Sequence, residues 1–183
     1  MVPAVLAAAL ALGACGGGDD APSCGATTPA PASAALVSAG SATFTYEGFL
    51  GGLNGDCPVV TGSRGSVTIR GDQTGSGFPL TFCIRREDDV ASGKPISLAD
   101  DTFVQVVDVN GKDADGCTYG KDTGAVASGT ITLDGFCTAA GTAFNMTLAG
   151  SIAGVKKCTP ADGAPTSEPV TLDLAGSVLV TME

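Results

Sequence analysis

The chain of 183 residues carries 19 acidic and 9 basic side chains, which gives a net charge of −10. This negative charge argues against binding to nucleic acid or to anionic lipid headgroups. The sequence contains no histidine, which excludes Ser-His-Asp and Cys-His catalysis and histidine-ligated metals. We therefore expect a protein that is not an enzyme and that carries no cofactor.

The first fourteen residues are predicted to be a signal peptide. An apolar run from Val2 to Leu12 is followed by the small residues Gly13 and Ala14, as at a signal-peptidase site. The run is shorter than the about 20 residues that a membrane-spanning helix needs. No lysine or arginine precedes it, so we expect the true start codon to lie further upstream.

The segment Leu12-Gly13-Ala14-Cys15, followed by three glycines, resembles the lipobox of bacterial lipoprotein precursors. The resemblance implies that Cys15 becomes the first residue of the mature chain and carries a thioether-linked diacylglycerol. Two or three acyl chains hold such a protein stably at a membrane. Gly16 stands where an Asp is the inner-membrane retention signal in enteric bacteria, which implies the outer membrane of the cell envelope. The alternative is an ordinary signal peptide in which Cys15 is incidental.

Residues 15–40 are predicted to be the lipid anchor and a flexible linker, because Ala, Pro, Ser, Thr and Gly dominate and offer no packing face. Residues 41–183 are predicted to form a single β domain, since Val, Ile, Leu and Thr are common there and Gly is abundant.

The cysteines predict a disulfide framework. If Cys15 is acylated, an even number remains, which in an oxidising compartment favours three disulfides over two disulfides and free thiols. The six are Cys24, Cys57, Cys83, Cys117, Cys137 and Cys158. We expect Cys117 and Cys158 to meet at the open end of a late hairpin. Cys137 and Cys158 should lie too far apart, at opposite ends of a strand over 142–153.

From Ser41 onward, apolar residues recur with the period of two that is typical of β-strands. Residues 102–109 are predicted to form a strand with Phe103, Val107 and Val109 on one side, and Asn110-Gly111 to form a type I′ hairpin turn after it. The other predicted inward sets are Phe44, Tyr46 and Gly48; Val67 and Ile69; Leu80, Phe82 and Ile84; Ile131 and Leu133; Phe144, Met146, Leu148, Gly150 and Ile152; and the alternate residues from Val170 to Met182.

These strands predict an all-β fold, either an antiparallel sandwich or an up-and-down barrel of seven or eight strands with disulfides. The segment 108–116 also contains the densest group of oxygen ligands, Asp108, Asn110, Asp113 and Asp115. Calcium binds such oxygens, but Lys112 stands where an EF-hand loop has Asp or Asn, and its closing Glu is missing. We therefore expect a polar hairpin turn and no metal, with these four residues as the calcium alternative.

The sequence thus predicts a lipid-anchored cell-envelope protein that acts as a non-catalytic binding or structural module. Its expected partners are the membrane, through the anchor, and an envelope protein or a small apolar ligand. One alternative is a lipocalin-like carrier, in which an up-and-down barrel encloses a small apolar ligand. The other is a calcium-stabilised adhesion module.

Overall fold

The computed structural model describes residues 34–53, 57, 65–161 and 163–183. The predicted signal peptide, Cys15 and Cys24 lie outside the described residues. Within them, ten strands account for the regular structure, together with one turn of 3-10 helix at Glu87–Asp89. The strands are β1 Ala35–Ala39, β2 Ala42–Leu53, β3 Val67–Gln73, β4 Pro79–Ile84, β5 Pro95–Ser97, β6 Val104–Lys112, β7 Thr118–Lys121, β8 Ser128–Asp134, β9 Ala143–Cys158 and β10 Thr166–Met182.

Eight of these strands form a ring of antiparallel neighbours in the order β1-β2-β3-β4-β6-β7-β9-β10. The ring closes because β10 also pairs with β1, where Leu36 lies opposite Ala175. Apart from β5 and β8, which lie outside the ring, strands that are adjacent in the ring follow one another along the chain. The topology is therefore that of an up-and-down barrel. The predicted all-β fold with disulfides is confirmed, and the closed pairing selects the barrel over the open sandwich.

Strand β9 pairs with two different strands along the same edge. Its residues 154–157 pair with β7 and its residues 145–151 pair with β8. β7 and β8 are therefore two pieces of the same wall, separated by an excursion over residues 122–127. The short strand β5 pairs with the outer edge of β8.

The hairpin of β9 and β10 is the longest pairing in the barrel. It extends from Ala143 opposite Thr181 to Cys158 opposite Thr166 without a register shift. The predicted alternation is confirmed in both strands, since Phe144 and Met146 of β9 are buried, as are their alternates along β10.

Large aromatic side chains fill the barrel interior, and glycines on other strands of the barrel make room for them. A Cβ at Gly71 would lie 2.6 Å from the Phe49 ring, and one at Gly111 would lie 2.9 Å from the Phe44 ring. Interiors pack at crystal-like density, so these glycines are sites where a methyl group does not fit. The buried core includes Phe44, Tyr46, Phe49, Ile69, Leu80, Phe82, Ile131, Leu133, Phe144, Met146, Leu172, Leu174 and Val180.

The predicted Asn110-Gly111 turn is wrong. Both residues belong to β6, which continues to Lys112, and the chain reverses over residues 113–117 instead. Asp113 closes this turn by accepting the Cys117 backbone N–H at 2.9 Å. Gly111 is required by its inward position against Phe44 and not by a turn.

The start of the β domain was predicted six residues too late. Residues 35–39, which were assigned to the linker, form β1, whose Ala35, Val37 and Ala39 are buried in the core. This segment is rich in alanine and serine, which is typical of a linker. Its alternation of buried and more exposed residues, however, is that of a strand in the barrel wall.

Two irregular positions change which side chains face inward. In β2 the register shifts between Glu47 and Leu50, and Gly48 has a φ of 64°, so that Phe49 and not Gly48 follows Tyr46 into the core. Such a bulge inserts a residue and resets the alternation.

A second shift affects the predicted strand over 102–109. Val106 and Val109 are both buried, whereas Val107 is 38% exposed. The prediction that Val107 and Val109 share one face is therefore wrong. The pairing with β4 slips by one residue at this position, and sequence alternation alone does not reveal such a slip.

Two disulfides join described cysteines. Cys117 and Cys158 are bonded with their Cα atoms 4.3 Å apart, which confirms their predicted meeting. Cys57 and Cys83 are bonded with Cα atoms 5.5 Å apart. Cys137 is disulfide-bonded as well.

We predict that Gly71→Ala lowers the free energy of unfolding by about 1–3 kcal/mol, because the new methyl group overlaps the Phe49 ring. Gly52→Ala is the matched control in β2, since nothing lies within 4 Å of a Cβ there. Urea unfolding of both variants is the measurement. Equal losses of stability would contradict the close packing of Gly71 against Phe49.

Candidate functional site: a polar groove over strand β7

A polar groove of about 300 Å³ lies on the barrel wall over the short strand β7. Strands β6 and β9 form its sides, and the loop before β4 and the start of the 122–127 excursion contribute its ends. We call it the β7 groove. Its lining residues are Phe78, Asn110, Thr118, Tyr119, Gly120, Lys121, Asp122, Thr123, Val155 and Lys157.

Strand register brings the polar side chains of the groove together. Lys112 of β6 lies opposite Thr118, which lies opposite Lys157 of β9. Neighbouring strands are about 4.8 Å apart, so the two lysines flank the threonine in one row across the wall. These positions are far apart in sequence, and only the register of β7 makes them neighbours.

The next row explains why the wall is concave here. Asn110 lies opposite Gly120, which lies opposite Val155. Gly120 has no side chain, and a Cβ there would come within 3.3 Å of Asn110 Oδ1. The Asn110 side chain thus leans over the glycine, and the floor of the groove is backbone.

Several polar groups of the groove keep free hydrogen-bonding capacity. The Asn110 side-chain amide has no hydrogen-bond partner among the described residues, although its backbone carbonyl accepts the Tyr46 hydroxyl. Thr118 Oγ1 reaches the Lys157 carbonyl only at 3.5 Å, which is long for a hydrogen bond. The Lys121 ammonium donates to the Val106 carbonyl at 2.7 Å, which uses one of its three protons.

Neither the two lysines that line the groove, Lys121 and Lys157, nor the adjacent Lys112 is ion-paired with a carboxylate among the described residues. Within the described part of the chain, the ion pairs join Arg70 to Asp72 and Arg86 to Asp89, both away from β7. Lys112, Lys121 and Lys157 take part in neither. Asp122 is the one carboxylate that lines the groove, so the local charge is positive on a protein whose net charge is −10.

A partly buried polar cluster stabilises the barrel end beside the groove. The Tyr119 hydroxyl donates to Asp113 Oδ2 at 3.0 Å, and the Lys156 ammonium lies 5.7 Å from the Tyr119 ring. Burial, together with the bond to the Asp113 carboxylate, raises the pKa of Tyr119. The cluster fixes the 113–117 turn and the end of β7.

The four calcium candidates occupy separate environments. The Asp113 carboxylate accepts hydrogen bonds from the Tyr119 hydroxyl and the Cys117 backbone N–H. Asp108 lies opposite Thr81 in the sheet, and Asp115 is exposed in the turn. Asn110 lines the β7 groove. Across residues 34–53, 57, 65–161 and 163–183, no group of three or more His, Cys, Asp or Glu side chains is arranged to hold a metal ion.

The sequence did not reveal the β7 groove. Lys112, Lys121 and Lys157 read as ordinary surface residues, because no motif joins them. The available signal was that four of the five lysines lie in strands β6, β7 and β9, which becomes informative only when the order and register of these strands are known.

The chain matches no protein-family model, no curated protein and no solved structure. In the described ranges, none of the helical structure is long and apolar enough to cross a lipid bilayer.

We predict that Tyr46→Phe lowers stability by about 1 kcal/mol at neutral pH, because the Asn110 carbonyl loses a hydrogen bond. Burial raises the pKa of Tyr46. The contribution of its hydroxyl to the free energy of unfolding is therefore present at neutral pH and is lost as the pH rises above about 10, where an unfolded tyrosine ionises. The stability gap between wild type and variant should therefore shrink at alkaline pH.

Urea unfolding at neutral pH and near pH 10.5 measures this gap. Tyr119→Phe is the companion variant, which keeps Tyr46 and should keep most of the alkaline sensitivity. A gap between wild type and Tyr46→Phe that stays constant or widens with pH would contradict the role given to Tyr46.

Proposed function

We propose that this protein is a lipid-anchored protein of the bacterial cell envelope whose barrel acts as a non-catalytic binding module. Cys15 would carry the lipid, and the β7 groove would carry the ligand. The observation that supports this most directly is the pairing of every described cysteine in a disulfide. Disulfides of this kind persist in exported proteins and are rare in the cytosol.

Acylation of Cys15 would also determine the disulfide partner of Cys137. The sequence contains seven cysteines, and four of them pair as Cys57–Cys83 and Cys117–Cys158. Cys137 therefore needs a partner from the two that remain, Cys15 and Cys24. A thioether at Cys15 removes its thiol, so we expect Cys24 to be the partner. The ten residues from Cys15 to Cys24 would then hold the barrel within about 35 Å of the membrane.

The packing of the barrel favours an external binding site over a carrier cavity. Phe44, Phe49 and Phe82 are buried in the interior, and Phe44 and Phe49 pack directly onto glycines of other strands. A lipocalin-like carrier needs room inside the barrel for its ligand. On the outer wall, by contrast, the β7 groove offers polar groups that keep free hydrogen-bonding capacity.

We predict that Cys15→Ser moves the protein from the membrane fraction to the soluble fraction, because the residue that receives lipid is lost. Detergent partitioning followed by mass spectrometry is the measurement. Cys24→Ser is the matched control, which should keep the acyl mass and expose one reactive thiol at Cys137. A wild-type chain without acyl mass, or a Cys15→Ser variant that stays in the membrane, would contradict the proposal.

A further inference from the structure

We propose that the β7 groove binds a hydroxyl-rich anionic ligand of the chemical class of a hexuronic acid residue, as found in acidic polysaccharides. This inference rests on the proposed binding function and names its ligand. It is carried by the charge, the free hydrogen-bonding groups and the size of the groove.

Charge selects an anion. Lys157 and Lys121 line the groove, and Lys112, which lies outside its lining, stands across Thr118 from Lys157. One carboxylate, that of Asp122, lies among them. A carboxylate ligand in this row would meet unpaired ammonium groups on a protein that is negative elsewhere, and charge-assisted hydrogen bonds are the stronger ones.

The neutral groups select hydroxyls. The Asn110 amide and the Thr118 and Thr123 hydroxyls each offer both a donor and an acceptor. A sugar hydroxyl also donates and accepts, so it satisfies such groups in either direction. An inorganic anion without a hydroxyl group, such as sulfate, only accepts hydrogen bonds, and it would leave the side-chain oxygen Oδ1 of Asn110 unmatched.

Size and shape fit one or two sugar rings. The groove measures about 300 Å³, at the lower end of the range of small-molecule sites. Phe78 and Val155 provide apolar edges against which the C–H face of a pyranose packs. Gly120 leaves space at the bottom of the groove, since a side chain at this position would extend toward Asn110.

Titration calorimetry of the purified full chain with trigalacturonate at low ionic strength tests the proposal. We expect saturable binding that weakens as salt is added, because salt screens exposed charges. Galactotriose, the uncharged analogue, should bind roughly tenfold more weakly or not at all, since hydrogen bonds to charged groups contribute more than neutral ones.

Variants locate the binding to the groove. Lys157→Ala and Asn110→Ala should each weaken trigalacturonate binding roughly fivefold to tenfold. Asn110→Ala keeps the backbone carbonyl that accepts the Tyr46 hydroxyl, so the fold is expected to survive, and its thermal melting curve checks this. Lys94→Ala, an exposed lysine before β5, is the matched control and should bind like wild type.

Three results would overturn the inference: no binding of trigalacturonate, equal binding of galactotriose, or equal losses in Lys157→Ala and Lys94→Ala. Competition by inorganic phosphate at the same concentration would assign the groove to simple anions and also reject a sugar acid. None of these outcomes depends on lipidation of Cys15, so failure of this inference is separate from failure of the proposed anchor.

Discussion

Closure of the barrel is the constraint on which the rest of the structure depends. Strand β10 pairs along its length with β9 and, on its other edge, with β1, so the last of the described strands joins the first. A closed ring leaves few exposed strand edges, and an exposed edge is a site of aggregation. Closure also turns one face of every ring strand toward a single core, which is why residues from Ala35 to Met182 share one hydrophobic cluster.

The interior of the ring is filled by matching aromatic rings to glycines. Phe44 covers Gly111 and Phe49 covers Gly71. Without an aromatic ring packed on it, a glycine within a strand lowers the stability of the sheet. Because these contacts fill the interior, the binding site that we propose lies on the outer wall of the barrel. The break between β7 and β8, with Gly120 beside it, gives that wall its concave polar surface.

Much of the fold could be predicted from the sequence, because alternation with a period of two is a direct consequence of strand geometry. The inward residues of β9 and β10 followed from it, and the Cys117–Cys158 bond followed from placing both cysteines at one end of a hairpin. Positions where the alternation is interrupted, such as Gly48 and Val107, could not be predicted. A bulge depends on the register of the neighbouring strand, which the local sequence does not contain.

The candidate site was hidden for the same reason. The Asn-Gly pair at 110–111 is typical of a turn, so the sequence suggested a turn at Gly111. The contact of Gly111 with Phe44 depends on β2, which is far away along the chain. Lys112, Thr118 and Lys157 form a row only after β7 is placed between β6 and β9. By contrast, the lipidation signal that we propose at Cys15 is a local pattern, so predicting it does not require the fold.

We propose that the barrel is an exported module held at the membrane through Cys15. The most direct test is the intact mass of the protein extracted from membranes, measured before and after reduction. We predict a chain that begins at Cys15, carries acyl groups, and gains two hydrogens for each of three disulfides when reduced. An unacylated chain, or one in which Cys15 is itself part of a disulfide, would contradict the account.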